Sequence, residues 1–203
     1  MRTFHVAIAA ALLGGGVPAQ EPSEQAVMRM ATEIQRGVST LPNYGLFDDI
    51  GFGFKGRDVT LRGYASRPSL KDSVERVVKK IEGVEKVTNE IEVLPLSGND
   101  DRIRAAVYAR VYGHATLSRY NPNRGVPLYL SPARLAAGIT NDPPPGRHPI
   151  HIIVKNGNVT LRGVVDNLGD KTIAGIQANS APGAFSVVNE LQVAGDRKPV
   201  KAK

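Results

Sequence analysis

The sequence predicts an α+β protein built from two tandem αββαβ modules, each a small mixed three-stranded sheet packed against two helices. Three observations predict it. Residues 55–93 match residues 155–193 at a constant spacing of 100 positions without a gap, so one folding unit occurs twice. Within each copy, apolar residues recur at spacings of three and four in some stretches and at every second position in others, the periods of helix and of half-buried strand. Glycine, asparagine and proline fall between those stretches, where the chain must turn.

The first copy opens with Val27, Ala31, Ile34, Val38 and Leu41, the stripe of a helix with one buried face. Ile50, Phe52 and Phe54, then Val59, Leu61 and Gly63, alternate with other residues about a turn at 56–58, which predicts a hairpin. Ser69 with Asp72 resembles a helix-capping pair; Leu70, Val74, Val77, Val78 and Ile81 form a second buried stripe, and Gly83 suits its stop. Val87, Asn89, Ile91 and Val93 alternate as a closing strand.

In the second copy, Asp100 is the expected N-cap of a helix carrying Ile103, Val107 and Val111. Thr40-Leu41-x-x-Tyr44 returns 76 positions later as Thr116-Leu117-x-x-Tyr120, so this copy carries 24 extra residues ahead of its hairpin. The stretch between Tyr120 and Ile150 holds seven of the chain's 14 prolines, which opposes helix and central strand alike. A loop near 121–144 is expected, with one short helical turn at 132–137. Asn156-Gly157 between Ile152-Ile153-Val154 and Val159-Thr160-Leu161 predicts a tight type I′ hairpin. In the helix that follows, Ala174, Ala178 and Ala181 replace Val74, Val78 and Ile81, and Gly169, Gly175 and Pro182 interrupt it. Alanine buries less apolar area, so this helix should lie closer to its sheet and the second module should be the looser one.

Residues 1–19 have the layout of a signal peptide, with Arg2, an apolar run at 6–13 and the small-residue site Val17-Pro18-Ala19. Residues 20–96 then form the first module, 97–195 the second, and 196–203 a basic tail. The leader is too short to span a bilayer, so membrane contact is expected to be peripheral at most. With 41% hydrophobic and 22% charged residues the chain has the composition of a packed domain, and 5% aromatics without Trp require an aliphatic core. The absence of Cys excludes a disulfide framework, a thiolate nucleophile, a thiolate zinc site and a Cys-linked lipid. A net charge of +7 points to an anionic partner, and export argues against nucleic acid.

Several strings suggest chemistry without supporting it. Gly51-x-Gly53-x-x-Gly56 has the letters of a dinucleotide loop, but a strand follows where a helix N-terminus is needed. His148 and His151 do not complete the ligand set of a zinc site, and His114 is expected to sit as a cation at a helix end. Asp48-Asp49 and Asp100-Asp101 are adjacent carboxylates that point apart, no Ser or Thr has a recognisable base, and Asn158-Val159-Thr160 reads as turn and strand. No catalytic residue, metal or cofactor is expected.

Val-Thr-Leu-Arg-Gly at 59–63 and again at 159–163, the amphipathic helix after each, and Gly83-Val84-Glu85-Lys86-Val87-x-Asn89-Glu90-Ile91-x-Val93 with its counterpart resemble the BON domain. The resemblance implies an αββαβ module of envelope proteins, often paired, with anionic phospholipid as a ligand of some members and no catalytic residues. It makes a phospholipid surface the expected partner, with an envelope protein partner, as in a chaperone-like role, as the alternative. Two basic surfaces are the candidate lipid sites. Arg67, Lys71, Arg76, Lys79 and Lys80 lie on or beside the first module's second helix. Arg119, Arg124, Arg134 and Arg147 flank or occupy the insertion, where Val126, Leu128, Tyr129 and Leu130 add apolar and aromatic surface.

Overall fold

The computed structural model describes residues 22–122 and 147–195. The predicted leader, most of the proline-rich insertion with its short helical turn, and the basic tail lie outside the described residues.

In the first module α1 (Glu24–Ser39) is capped by Ser23, whose side chain accepts from Ala26 N. Its buried residues are Met30, Ile34 and Val38. Val27 and Ala31, placed in the stripe by spacing alone, are only half-buried, because the helix turns its Met30 side toward Gly83. β1 (Asp49–Lys55) pairs antiparallel with β2 (Asp58–Ala65), and β2 pairs parallel with β3 (Lys86–Val93). Between them α2 (Pro68–Val78) buries Leu70, Val74 and Val78. The expected Ser69–Asp72 cap does not form: the N-cap is Arg67, which makes no capping bond to the helix, and Pro68 opens the helix, its fixed φ already helical and its missing N–H no loss there.

The second module repeats this order. α3 (Gly98–Gly113) is followed by a single 3₁₀ turn (Ser118–Tyr120), the hairpin β4 (Ile150–Lys155) and β5 (Asn158–Val165), α4 (Leu168–Asn179), and the strand pieces β6 (Ser186–Asn189) and β7 (Gln192–Val193). β6 and β7 pair with β5 in one parallel register, Asn158 with Ser186 and Val165 with Val193. They are one closing strand whose ladder is interrupted at Glu190 and Leu191, so the second sheet counts four strands. Asn156 and Gly157 have φ of 51° and 77°, the left-handed pair that a type I′ turn requires.

Asp100 is not the N-cap of α3. Ser97 caps it, accepting from Asp100 N at 3.2 Å. Asp100 is instead buried in the first turn, and its carboxylate accepts from Asn156 N and Gly157 N, both at 2.8 Å. Arg104, also buried, donates to Val154 O at 2.8 Å and pairs with Asp101 at 2.5 Å. α3 is thereby tied to the β4–β5 hairpin as well as to α4.

The two first helices align differently from their trailing motifs. A Cβ on Gly83 would stand 3.1 Å from Met30 Sδ, and one on Gly183 3.3 Å from Ile103 Cγ1, so Met30 and Ile103 are equivalent although 73 positions separate them. Ile34 with Val107 and Val38 with Val111 follow. The spacing of 76 belongs to the turns after the helices, where Tyr44 N bonds Leu41 O and Tyr120 N bonds Leu117 O. The second copy therefore gains three residues between helix and turn besides the insertion.

The last residue of the repeated motif explains its persistence. Gly63 and Gly163 have φ of +118° and +119°, and a Cβ there would lie 2.0 Å from Asp49 O and Pro149 O respectively. Only glycine fits a positive φ against a neighbouring strand's backbone.

Each module has its own core, but the second draws on the first. Its buried cluster takes in Tyr108, Tyr112, Leu117, Ala174, Ala178 and Ala181, together with Leu46 and Phe47 from the segment before β1. The alanines do line α4 as the sequence indicates, and aromatic and aliphatic side chains from α3 and from residues 46 and 47 share their core.

Candidate functional site

Several contacts hold the modules against each other. Ile152 N bonds Leu46 O at 2.8 Å, so the segment before β1 lies along the free edge of β4, and the Tyr44 and His151 rings approach to 5.7 Å. Arg162 Nη1 donates to Asp49 Oδ2 at 2.9 Å, and Lys155 pairs with Glu92. Arg162 also grips Glu190 at 2.7 Å, repeating the Arg62–Glu90 pair of the first module at 2.8 Å. The Arg of each Val-Thr-Leu-Arg-Gly string is thus a cross-strand partner for the Glu of each Asn-Glu string, and in the second copy a tether between modules. Nothing in the spacing alone separates these two roles.

The candidate lipid residues fall into three groups. On α2, Leu70, Val74 and Val78 point inward, which turns Arg76, Lys79 and Lys80 to solvent with Lys71 half-buried beside them. Lys79 lies 2.6 Å from Glu75, which also accepts from Asn89 at 2.9 Å; these two bonds hold the Glu75 carboxyl below the usual range. Arg76 and Lys80 have no carboxylate partner among the described residues. Arg67 sits at the head of the same helix.

Arg119 stands apart from that face. It pairs with Asp166 at 3.2 Å and with the buried Asp170, and its guanidinium lies 4.8 Å above the Tyr120 ring. Tyr120 donates to Asp170 at 2.7 Å and accepts from Asp166 N at 2.8 Å, and burial pushes its hydroxyl up to about 12. The charge of Arg119 is therefore balanced inside the second module, where the group closes the end of β5 onto α4. Arg124, Tyr129 and Arg134 lie outside the described residues.

The same backbone position is closed by another device in the first module. Ser66 N, the counterpart of Asp166 N, donates to Asp48 at 2.6 Å, and Gly45 N donates to it at 2.9 Å. Burial raises the Asp48 carboxyl, against the pull of those bonds. Asp48 is thus a loop clasp rather than half of a catalytic pair.

His148 is buried between Tyr108 and Tyr112, with ring centroids at 5.9 and 5.1 Å. It is a buried residue of the segment that leads into β4. His114 ends α3 as placed, and its Nδ1 accepts from Thr116 N at 3.3 Å. Among the described residues no three His, Asp or Glu side chains gather as metal ligands, and no helix is long and apolar enough to cross a membrane.

The family model for the BON domain matches residues 53–95 and 133–195, a little over half of the chain. No curated protein matches the chain. Two solved structures of CdsD, a structural protein of the type III secretion system of Chlamydia trachomatis, are similar at 14% identity each. The one described as its C-terminal domain has a TM-score of 0.25, covering 80% of this chain and 96% of that one; the other has 0.27, covering 80% and 91%. These likenesses are too distant to bear on function.

Proposed function

The chain belongs to the BON domain family, and from that premise we propose that it is a non-enzymatic, exported module of the bacterial envelope that associates peripherally with anionic phospholipid surfaces. The observation that carries this reading is the outward face of α2. Lys71, Arg76, Lys79 and Lys80 share it with Asp72 and Glu75 and, just past the helix end, Glu82; Glu75 is already engaged by Lys79 and Asn89, and Glu82 lies 3.8 Å from Arg29. Arg76 and Lys80 can then meet lipid phosphates without first breaking an ion pair. Each basic residue near an anionic membrane contributes about 1 kcal/mol, enough for reversible association from a few side chains. Flotation with vesicles of rising anionic content should show binding that grows with lipid charge and declines with salt. Absence of binding at low salt, or indifference to lipid charge, contradicts the reading.

A second reading, docking of an envelope protein, is favoured by Phe185 and Val188, which are 86% and 50% exposed. Val188 lies on β6, which pairs on one side only, and an open edge beside exposed apolar side chains suits an added strand. Substituting Phe185→Ser and Val188→Thr should leave vesicle binding intact and weaken only such a protein contact.

A further inference from the structure

Thr32, Gln35, Arg36 and Ser39 are spaced three, four and seven residues apart on α1, so they share one helical face. That face forms one wall of a cavity of about 1150 Å³, and Arg147, His151 and Arg162 of the second module contribute to the other. In the second repeat the equivalent face is closed. Gln35 and Ser39 stand 73 positions before Tyr108 and Tyr112, and those two tyrosines are fully buried, Tyr112 bonding both O and N of Ile150 at 2.6 and 3.0 Å. The first repeat keeps the fold, replaces both rings with short polar side chains, and leaves the space open.

The charges within the cavity are unevenly satisfied. Its carboxylates are Asp49 and Glu190, and Arg162 bonds both. Arg36 and Arg147 remain without a carboxylate partner among the described residues. Arg147 Nη2 donates to Ser39 Oγ at 3.2 Å, which brings it within one turn of Arg36 on the same face. Two unpaired guanidiniums so close repel each other unless an anion lies between them, and their planar donor forks match phosphate oxygens. His151 Nδ1 is buried with no hydrogen-bond partner. Ile50, Phe52 and Val164 give the same cavity apolar wall, suited to the organic part of an ester.

We propose that this inter-module cleft binds a phosphate ester, gripped by Arg36 and Arg147 beside the Ser39 hydroxyl. The site is separate from the basic face of α2 and does not depend on the surface reading above. Its ligand chemistry is shared by a free phosphate ester and a lipid headgroup.

The test uses the full chain, with three probes: inorganic phosphate, glycerol phosphate by calorimetric titration, and vesicles containing phosphatidylglycerol by flotation. The double variant Arg36→Gln/Arg147→Gln is compared with Lys79→Gln/Lys80→Gln. Binding of at least one probe should weaken about tenfold or more in the arginine variant, the loss of two charge-assisted contacts. Loss with the soluble probes identifies a free ester; loss with vesicles alone identifies a headgroup. If no probe binds the wild type, or every probe binds the arginine variant as well as the wild type, the proposal is overturned. Vesicle binding lost only in the lysine variant, with no soluble probe weakened in the arginine variant, upholds the surface reading and removes the cleft. Both arginines are solvent-exposed, so the variant should fold; should it not, chemical-shift mapping on the wild type decides. Shifts confined to residues 32–39 and 147–151 on titration support the site, and their absence overturns it.

Discussion

The first helices of the two modules carry the same three-residue anchor and end in different states. Met30, Ile34 and Val38 hold α1, and Ile103, Val107 and Val111 hold α3 in the equivalent places. To that anchor α3 adds Asp100, Arg104, Tyr108 and Tyr112, all buried, with bonds to the β4–β5 turn, to Val154 and to Ile150. At the matching positions α1 has Val27, Ala31, Gln35 and Ser39, none of which can make those bonds, and its outer face borders the cleft. A repeated fold needs only the apolar anchor to be preserved; the remaining face of the helix is free to be sealed in one copy and left as a surface in the other.

The largest expected break in this comparison comes from the seal itself. Tyr112→Ala should cost about 3–5 kcal/mol, the range for removing a buried ring, while Ser39→Ala at the equivalent place should stay within about 0.5 kcal/mol. Denaturant unfolding of the two variants measures the difference. Similar losses would mean that α1 is sealed as α3 is.

The glycines that close the repeated motif should show the opposite behaviour, near-equality. Gly63→Ala and Gly163→Ala force the same left-handed conformation on a residue with a Cβ 2.0 Å from a backbone oxygen. Each should lose at least about 1–3 kcal/mol. A tolerated substitution in either copy would show that the strand before it can move aside.

A smaller effect separates the copies by pH. The amide that ends β2 is held by the Asp48 carboxyl, and the one that ends β5 by the Tyr120 hydroxyl. Burial raises the folded-state value of Asp48 above its unfolded one. The folded state therefore binds this proton more readily. Its contribution to stability is fully present below the unfolded value and is lost as pH rises through the folded one. Tyr120, pushed up to about 12, leaves the second module's clasp unchanged over that window. A carbon-detected titration should place the Asp48 midpoint above the ordinary aspartate value, and a midpoint at or below it would reverse the sign.

The order of elements, the hairpin at Asn156-Gly157 and the helix-stop glycines were legible in the sequence, because period and turn chemistry are local properties. What covers a buried face is not local. The string Thr-Leu-x-x-Tyr matched at 76 positions because it builds a turn, while the helices it follows align at 73, a shift visible only through the contacts of Met30 and Ile103 with their glycines. Asp100 had the letters of an N-cap, yet its carboxylate meets amides 56 and 57 residues away. Alanines at 174, 178 and 181 mark a thinly filled helix face, and the side chains that share its core, from α3 and from Leu46 and Phe47, are not indicated by the repeat spacing. Among the candidate site residues, the composition of the α2 face was legible. The internal pairing of Arg119 with Asp166 and Asp170 was not, because those partners lie 47 and 51 residues away. Arg36 stands alone in sequence on the polar side of an ordinary amphipathic helix, with no neighbouring residue in the chain to mark a site.

The divergence of the two first helices is tested most directly by amide hydrogen exchange on the full chain. Protection in residues 103–112 should exceed that in 30–39, because opening α3 breaks the buried Asp100, Arg104 and Tyr112 bonds together, whereas α1 can detach by exposing Met30, Ile34 and Val38 and losing only the exposed Ser39–Arg147 and Arg29–Glu82 contacts. Equal protection, or greater protection in α1, would contradict the account of one sealed copy and one open one.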